Sequence, residues 1–288
     1  MGKNINLKSI SRIILFHNFA LVFGLLSITL MGQNNAIYFD GNDSYIEANN
    51  VNNILSGSTE LTMETWVKRS VKPERPFILT FHQPDELDKQ NVILLGIQST
   101  GELAMTYNDN LGSGDVDKIG TAQVPTNEWT HVAVTIAADN SVKTYINGVL
   151  DFTWSIPIRP IDGGYFSIGQ DFDSNAITDD FLGQMDEVRI WSDVRTQDEL
   201  RSNMYKELSG NETDLIAYYN MNTGSGTTLQ DNSTNSTPGK FVNTPEWKTS
   251  GAFSGPRNSI NFDGVDDYIT IPDDNSLDFG TGDFTFEF

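Results

Sequence analysis

Two stretches of this chain match each other. Ala36–Thr65 reads AIYFDGNDSYIEANNVNNILSGSTELTMET, and Ser259–Phe288 reads SINFDGVDDYITIPDDNSLDFGTGDFTFEF. Aligned without a gap, they place Phe39-Asp40-Gly41 opposite Phe262-Asp263-Gly264 and Tyr45 opposite Tyr268. Such self-similarity is typical of tandem modules. The sequence therefore predicts one complete domain followed by the truncated start of a second.

The region between the two copies has the pattern of a β protein. Short runs that alternate apolar and polar residues are separated by Gly, Asn and Asp, which is typical of strands and turns. Leu61 to Val67 alternates, and so does Trp129 to Ile136, where His131 and Ala133 face away from the valines. Asn147-Gly148 suits a type I′ hairpin turn, because both positions need positive φ.

One short helix is predicted near the C-terminal end of the domain. Thr196-Gln197-Asp198-Glu199 has the form of a capping box, and apolar residues follow at helical spacing. Asp214 to Met221 resembles one more strand, and 222–239, rich in Gly, Ser, Thr and Asn, is typical of a loop or linker. About a dozen strands with little helix indicate an all-β fold, a two-sheet antiparallel sandwich.

The N-terminus has the pattern of an export signal. Lys3, Lys8 and Arg12 precede the apolar run Ile13–Met31, and polar residues follow from Gly32. We interpret 1–32 as a cleaved signal peptide, which places the mature protein outside the cell or on its surface. The alternative is an uncleaved membrane anchor. Since the chain has no cysteine, disulfides are excluded, and a large core or a metal must stabilise an exported domain.

The charge excludes two classes of partner. The chain has 39 acidic and 18 basic side chains, a net charge of -21, which repels nucleic acid and anionic membranes. We therefore expect no nucleic-acid partner and no membrane insertion after signal cleavage. The acids serve either solubility or the binding of a hard cation, for which calcium is the common extracellular choice.

Several segments carry a family resemblance. FDGNDSYIE, ELTMETWVK, EWTHVAVTI with SVKTYINGVL, and IGQDFDS with FLGQMDEVRIW occur in that order. The chain resembles a laminin-G-like jelly roll of the concanavalin A-like lectin/glucanase class, in the branch that includes pentraxins. The resemblance implies a jelly-roll domain over 34–208, a trailing strand and linker over 209–258 and a second copy from 259. DLIAYYNMNTGSGTTLQDNST resembles the segment that often separates tandem copies in secreted bacterial proteins.

The loop after Gly169-Gln170 is the first candidate metal site. Alternate acids on an extended loop can turn two carboxylates and an intervening carbonyl toward one calcium ion. Pentraxins use a similar Gly-Gln loop in their calcium site, and they draw further ligands from an Asp-Asn pair that corresponds here to Gln90-Asn91. The alternative is an acidic surface loop without metal. The candidate ligands are Asp171, Phe172 (through its carbonyl), Asp173, Asp179, Asp180, Asn91 and Asp88.

A second, structural calcium site is predicted from the resemblance alone. Sandwiches of this class often hold an ion between the first strand and the last core strand. The matching residues are Asp40, Gly41 and Asp186. The alternative is that Asp40-Gly41 only forms a tight turn.

The sequence gives no support for catalysis. Glucanases of this fold carry closely spaced acids, and the nearest match, from Glu86 to Asn91, lacks the last one. Asp186 and Glu187 are expected on opposite faces of a strand. His131 is interpreted as a packed or hydrogen-bonded residue and His82 as a loop residue. Trp154, at the end of the Asn-Gly hairpin, is a candidate for stacking on a sugar ring.

The prediction is thus an exported, non-catalytic, calcium-dependent binding or adhesion module that recognises glycans or extracellular proteins. One alternative is an accessory carbohydrate-binding domain of a larger polysaccharide-degrading glycoside hydrolase. Another is a structural spacer without a ligand. Fold resemblance does not choose among these functions.

Overall fold

The computed structural model describes residues 34–82, 91–108, 115–156, 164–173, 176–252, 265 and 268–270. The predicted signal peptide, Asp88 and most of the second copy lie outside these ranges. The described residues form mainly strands, in chain order β1 (Asn35–Asp40), β2 (Tyr45–Glu47), β3 (Leu61–Arg69), β4 (Phe77–His82), β5 (Asn91–Ile97), β6 (Glu102–Asn108), β7 (Asp115–Gln123), β8 (Thr130–Ile136), β9 (Ser141–Ile146), β10 (Val149–Ser155), β11 (Tyr165–Ile168), β12 (Asp171–Asp173), β13 (Ala176–Thr178), β14 (Leu182–Trp191), β15 (Leu215–Tyr219), β16 (Thr228–Leu229), β17 (Gly239–Val242) and β18 (Glu246–Thr249).

The strands build two antiparallel sheets, which confirms the predicted sandwich. The first sheet has the order β10-β9-β8-β3-β14-β1-β18, and β15 pairs with the second half of β14. The second sheet has the order β16-β17-β2-β11-β4-β5-β6-β7. In the middle of both sheets, strands that are far apart in sequence pair with each other, as in a jelly roll, whereas β8 to β10 and β4 to β7 follow one another as hairpins.

Alternating side chains build the core between the sheets. Leu61, Met63 and Val67 of β3 face the interior together with Val132 and its neighbours on β8. The opposite face of the first sheet is also covered, because Ala133 and Tyr145 pack against Leu200 of a helix. The predicted alternation is therefore confirmed for both strands.

Two short helices accompany the sheets, α1 (Asn50–Ile54) and α2 (Gln197–Asn203). The predicted capping box of α2 is present: Thr196 Oγ1 accepts from Glu199 N, and the Glu199 carboxylate accepts from Thr196 N. α2 lies on the outer face of the first sheet rather than over its end. The sequence analysis missed α1. The Asn147-Gly148 turn is confirmed, with φ of 49° and 70°.

The segment after α2 is part of the sandwich. The strand predicted within Asp214 to Met221 is β15, and most of 222–239 is loop, as predicted, although it contains the short strand β16. β15 and β18 join the first sheet, and β16 and β17 extend the second. Leu229 and Phe241 are buried in the common core. The sequence pattern did not predict β16, because only two residues form this strand and small polar residues surround it.

Little of the second copy is described. Tyr268 is 82% exposed, whereas its counterpart Tyr45 in the first copy is 8% exposed. A copy cut short after its first strands is expected to dock loosely, and apart from 265 and 268–270 its residues lie outside the described ranges. No helix among the described residues combines the length and the apolar character needed to cross a membrane.

Candidate binding site

The predicted metal loop is a hairpin that links the two sheets. β12 and β13 form a two-stranded sheet of their own between β11 of the second sheet and β14 of the first. At its base Phe181 N donates to Gly169 O over 2.8 Å, and Gly169 N donates to Ile78 O over 2.8 Å. Gly169 has φ of 95°, and a Cβ there would lie 2.7 Å from the ring of Phe39. This position therefore requires glycine.

A buried polar cluster lies beneath the hairpin. His82 Nε2 is 2.9 Å from Thr80 Oγ1, which is 2.6 Å from Ser167 Oγ. Gln170 Nε2 donates to Ser167 Oγ over 3.1 Å, and His82 Nδ1 lies 3.8 Å from Asp171 Oδ1. All five side chains are buried. His82 ends β4, so its interpretation as a loop residue was wrong. The alternation of β4 places Thr80 and His82 on one face.

The order Thr80, His82 and Asp171 resembles a nucleophile, base and acid, but the geometry does not suit catalysis. Thr80 is 0% exposed, and its hydroxyl also donates to Gln170 O over 3.0 Å. A separation of 3.8 Å between His82 and Asp171 exceeds hydrogen-bond length. The hydrogen bonds of the cluster position Gln170 at the base of the hairpin.

Four of the predicted calcium ligands lie on or next to the hairpin, namely Asp171 and Phe172 on β12 and Asp179 and Asp180 directly after β13. Asp171 Oδ1 accepts from Phe172 N over 2.6 Å, and Phe172 packs edge-on against His82. Asp179 O accepts from Phe77 N over 2.9 Å. Asp180 Oδ2 lies 3.7 Å from Lys72 Nζ. Of the other predicted ligands, Asp173 and Asn91 are described in their backbone only, as the last residue of β12 and the first of β5.

Two oxygens at this hairpin lack a donor. Gln170 Oε1 and Asp180 Oδ1 are buried, and neither has a hydrogen-bond partner among the described residues. An unsatisfied buried acceptor costs about 1–3 kcal/mol, which a cation would offset. Oxygen acceptors of this kind fit calcium. However, no three His, Asp or Glu side chains within the described ranges come together as a metal-binding group.

The predicted second metal site is not assembled. Asp40 pairs with Leu182 on β14, whereas Met185, next to Asp186, pairs with Ile37. The two carboxylates are thus four positions apart along the strands, roughly 13 Å. Asp40 instead accepts from Ser44 Oγ over 2.6 Å and from Asn42 N over 3.0 Å. One ion cannot bridge such a separation. The Asp40-Gly41 pair instead forms a tight turn, which was the alternative interpretation.

A β-bulge changes the predicted orientation of Asp186 and Glu187. The register of β14 against β3 shifts between Asp186 and Arg189, and Glu187 has φ of 54°. Met185 and Val188, three residues apart, both face the core. Asp186 and Glu187 therefore share the outer face instead of opposite faces, because the bulge inserts one extra residue.

These outward carboxylates belong to a buried charge network under α2. Arg189 Nη2 donates to Glu187 Oε2 over 2.7 Å, and Tyr218 Oη donates to the same oxygen over 2.7 Å. Burial raises the pKa of Glu187 to about 7. Burial and the neighbouring Glu187 raise the pKa of Asp186 well above its ordinary value. Arg189 also donates to carbonyls at the end of α2, among them Asn203 O over 3.0 Å, so the network holds the helix on the sheet.

The histidine and tryptophans of the strand signatures are structural. His131 Nε2 lies 3.0 Å from Glu64 Oε2, and Trp191 Nε1 donates to Glu64 Oε1 over 2.9 Å. Trp66 Nε1 donates to Met204 O over 2.8 Å. His131 and both tryptophans are buried, as predicted. Trp154, in contrast, is only half-buried.

The family assignment agrees with this architecture. The family model for Laminin_G_3, described as the concanavalin A-like lectin/glucanases superfamily, matches residues 40–201. The chain belongs to this family. The matched region includes the hairpin and the polar cluster, but it stops before β15 to β18, which complete both sheets. None of the curated proteins matches the sequence.

One of the similar solved structures, with a TM-score above 0.5, shows the same fold. A candidate carbohydrate-binding protein from Bacteroides ovatus has 21% identity and a TM-score of 0.57 over 77% of this chain. This chain spans 61% of that protein. The CBM40 of the Ruminococcus gnavus IT-sialidase, bound to α2,3 sialyllactose, has 17% identity and a TM-score of 0.49, with 58% of this chain and 95% of that chain covered. The heptameric SAP-like pentraxin of Limulus polyphemus has 17% identity and a TM-score of 0.46, with 59% and 81% covered.

Proposed function

We propose that this domain is an exported, non-catalytic carbohydrate-binding module whose hairpin β12–β13 uses calcium to hold a glycan. It would act in adhesion to glycans or to glycosylated surface proteins. The observation that carries the proposal is the pair of buried oxygens without donors, Gln170 Oε1 and Asp180 Oδ1. Membership of a lectin and glucanase superfamily and the N-terminal signal pattern support it.

The chain would contribute oxygens and rigidity. Gln170, Asp171 and Asp180 would hold the ion, which would supply a compact positive charge for sugar hydroxyls. The buried cluster fixes Gln170 at the base of the hairpin through Ser167 and Thr80. Lys72 Nζ lies next to Asp180 Oδ2, which would leave Asp180 Oδ1 for the ion. The net charge of -21 favours cation capture.

Thermal melts in EGTA and in millimolar calcium test this site. At a hundredfold excess over Kd, calcium should stabilise the fold by about 2.7 kcal/mol. Asp171→Asn and Asp180→Asn should each reduce the calcium-induced rise in Tm, whereas Asp198→Asn, an exposed acid on α2, should retain it.

Glycan-array binding with and without calcium then tests the function. An unchanged Tm at saturating calcium would contradict the metal site. Glycan binding that is equally strong in EGTA would contradict calcium dependence while leaving a carbohydrate-binding module.

A further inference from the structure

The edge strand β10 exposes several apolar side chains. Val149 is 50% exposed, Leu150 43% and Phe152 38%, and Trp154 is half-buried. β10 is the last strand of the first sheet and pairs only with β9. Apolar side chains clustered on an edge mark either an interaction site or an aggregation hazard.

Phe152 and Trp154 form an aromatic platform. Their ring centroids are 5.0 Å apart, and the planes are tilted by 32°. Their partners on β9 are Thr144 and Val142, and Val142 faces the core. Both rings therefore lie on the inward side of the strand, at the open margin of the sandwich. Trp154 packs against the core and Phe152 stands farther out.

The platform is anchored to the opposite sheet. A bulge occurs between Leu150 and Phe152. At this bulge Asp151 Oδ1 accepts from Thr121 N over 3.0 Å, from Thr121 Oγ1 over 3.0 Å and from Ala122 N over 2.8 Å, all on β7. A Cβ on Gly120 would lie 1.9 Å from Asp151 Oδ2, so only glycine admits this contact. The anchor pre-organises the rings and lowers the entropic cost of binding a ligand.

The same anchor disfavours the addition of a strand at this edge. The bulge interrupts the regular ladder of β10. The Asp151 carboxylate also occupies the amides of Thr121 and Ala122 on β7, the edge of the second sheet. A ligand at this margin therefore engages the ring faces rather than the backbone.

We propose that the aromatic platform is a second saccharide-binding site, for a neutral pyranose, separate from the hairpin site. The C–H face of a pyranose is apolar and matches an exposed aromatic ring. The Asp151 carboxylate next to Phe152 and the net charge of -21 disfavour an acidic sugar. The inference rests on the proposed carbohydrate-binding function.

The two sites lie far apart, so one glycan chain can contact both only if the chain is extended. The hairpin leaves the sheet at β11, and β7 lies four strands away in the second sheet. At about 4.8 Å per strand this separation is roughly 19 Å. Two contacts on one polysaccharide would raise the apparent affinity through effective concentration.

The test compares Phe152→Ala with Leu150→Ala in the full chain. Both side chains are exposed and apolar on β10, but the register places Leu150 opposite Tyr145, on the other face. Calorimetric titration uses cellohexaose and xylohexaose as neutral probes and tetragalacturonate as an acidic one. Phe152→Ala should weaken binding of a neutral probe roughly tenfold, and Leu150→Ala should not. Thermal melts should show both variants folded.

The outcomes separate this proposal from the proposed function. Binding that Asp171→Asn abolishes and Phe152→Ala leaves intact would overturn the platform and keep the hairpin site. Binding of tetragalacturonate in preference to both neutral probes would overturn the neutral specificity of the platform. No binding of any probe by the unaltered chain would overturn both proposals.

Discussion

Burial of adjacent carboxylates at Asp186 and Glu187 couples their ionisation to the stability of the first sheet. In the unfolded chain a Glu loses its proton near pH 4.5, whereas folded Glu187 keeps it until about pH 7. The folded state therefore binds more protons between these values, and stability falls as pH rises. Glu64 acts differently: burial alone would raise its pKa, but His131 and Arg189 hold it below the ordinary value. The stability that the Glu64 carboxylate contributes is lost only at acid pH, where the carboxylate takes up a proton.

Glu187→Gln should flatten the pH dependence of stability. One proton accounts for up to about 1.4 kcal/mol per pH unit within the window from 4.5 to about 7. We expect the free energy of unfolding of the unaltered chain to fall from pH 5 to pH 7, and the slope to decrease in the variant. Asp186, whose pKa is also raised, should preserve part of the pH dependence in the variant. Urea denaturation at several pH values measures the free energy of unfolding and hence this slope.

The exposed Glu246→Gln is the control for this experiment, because its side chain lies at the surface near Lys248. Its slope should equal that of the unaltered chain. A Glu187→Gln slope as steep as the control's would contradict a buried, protonated Glu187.

Individual elements differ in how far the sequence predicts them. The Asn147-Gly148 turn and the Thr196 capping box follow from local chemistry and were predicted correctly. The bulge at Asp186-Glu187 was not, because alternation assumes an unbroken strand. His82 was missed because no pattern marks β4 as extending to it. Asp171 and Asp180 lie on and next to one hairpin, and their role as metal ligands stays a prediction. The separation of Asp40 from Asp186 depends on strand register, which a single sequence does not specify.

Asp231 shows how one residue organises a polar element. Its carboxylate accepts from Tyr218 N over 2.9 Å, from Ser233 N and Oγ over 2.8 Å each, and from Thr237 N and Oγ1 over 2.7 Å each. Five donors meet one buried anion, so the segment between β16 and β17 is fixed without regular structure.

Asp231→Asn should destabilise the domain by about 3 kcal/mol. An amide group would turn one of the two oxygens into a donor that faces other donors. Asp214→Asn is the matched control: Asp214 is exposed, with φ of 63°, a conformation that Asn tolerates. In chemical denaturation, the free energy of unfolding of Asp214→Asn should be close to that of the unaltered chain. Equal stability of both variants would show that the five contacts contribute little.

At the scale of the whole molecule, the domain extends past the matched family region. β15 to β18 supply edge strands to both sheets, and Tyr219, Leu229 and Phe241 enter the common core. The fold therefore closes through its last strands, since β17 pairs with β2 and β18 pairs with β1.

A chain that ends at residue 208 should lose cooperative unfolding, because core side chains facing β15 to β17 would meet water. A chain that ends at residue 252 should keep it. Near-UV circular dichroism and binding of a hydrophobic dye during a thermal melt compare the two. A sharp, dye-free transition for the shorter chain would contradict the structural role of the last strands.

The antiparallel pairing of β1 with β18 also determines how the domain carries mechanical load. Asn35 pairs with Thr249, and Ser250 N donates to Asn34 O over 2.8 Å, so the chain enters and leaves the sandwich side by side. Tension between residues 34 and 250 pulls the paired ends of β1 and β18 directly apart. The hydrogen bonds between the two strands therefore break one after another, starting at this end. A domain pulled in this direction should therefore unfold at a lower force than one whose terminal strands are sheared, because its hydrogen bonds break singly rather than together.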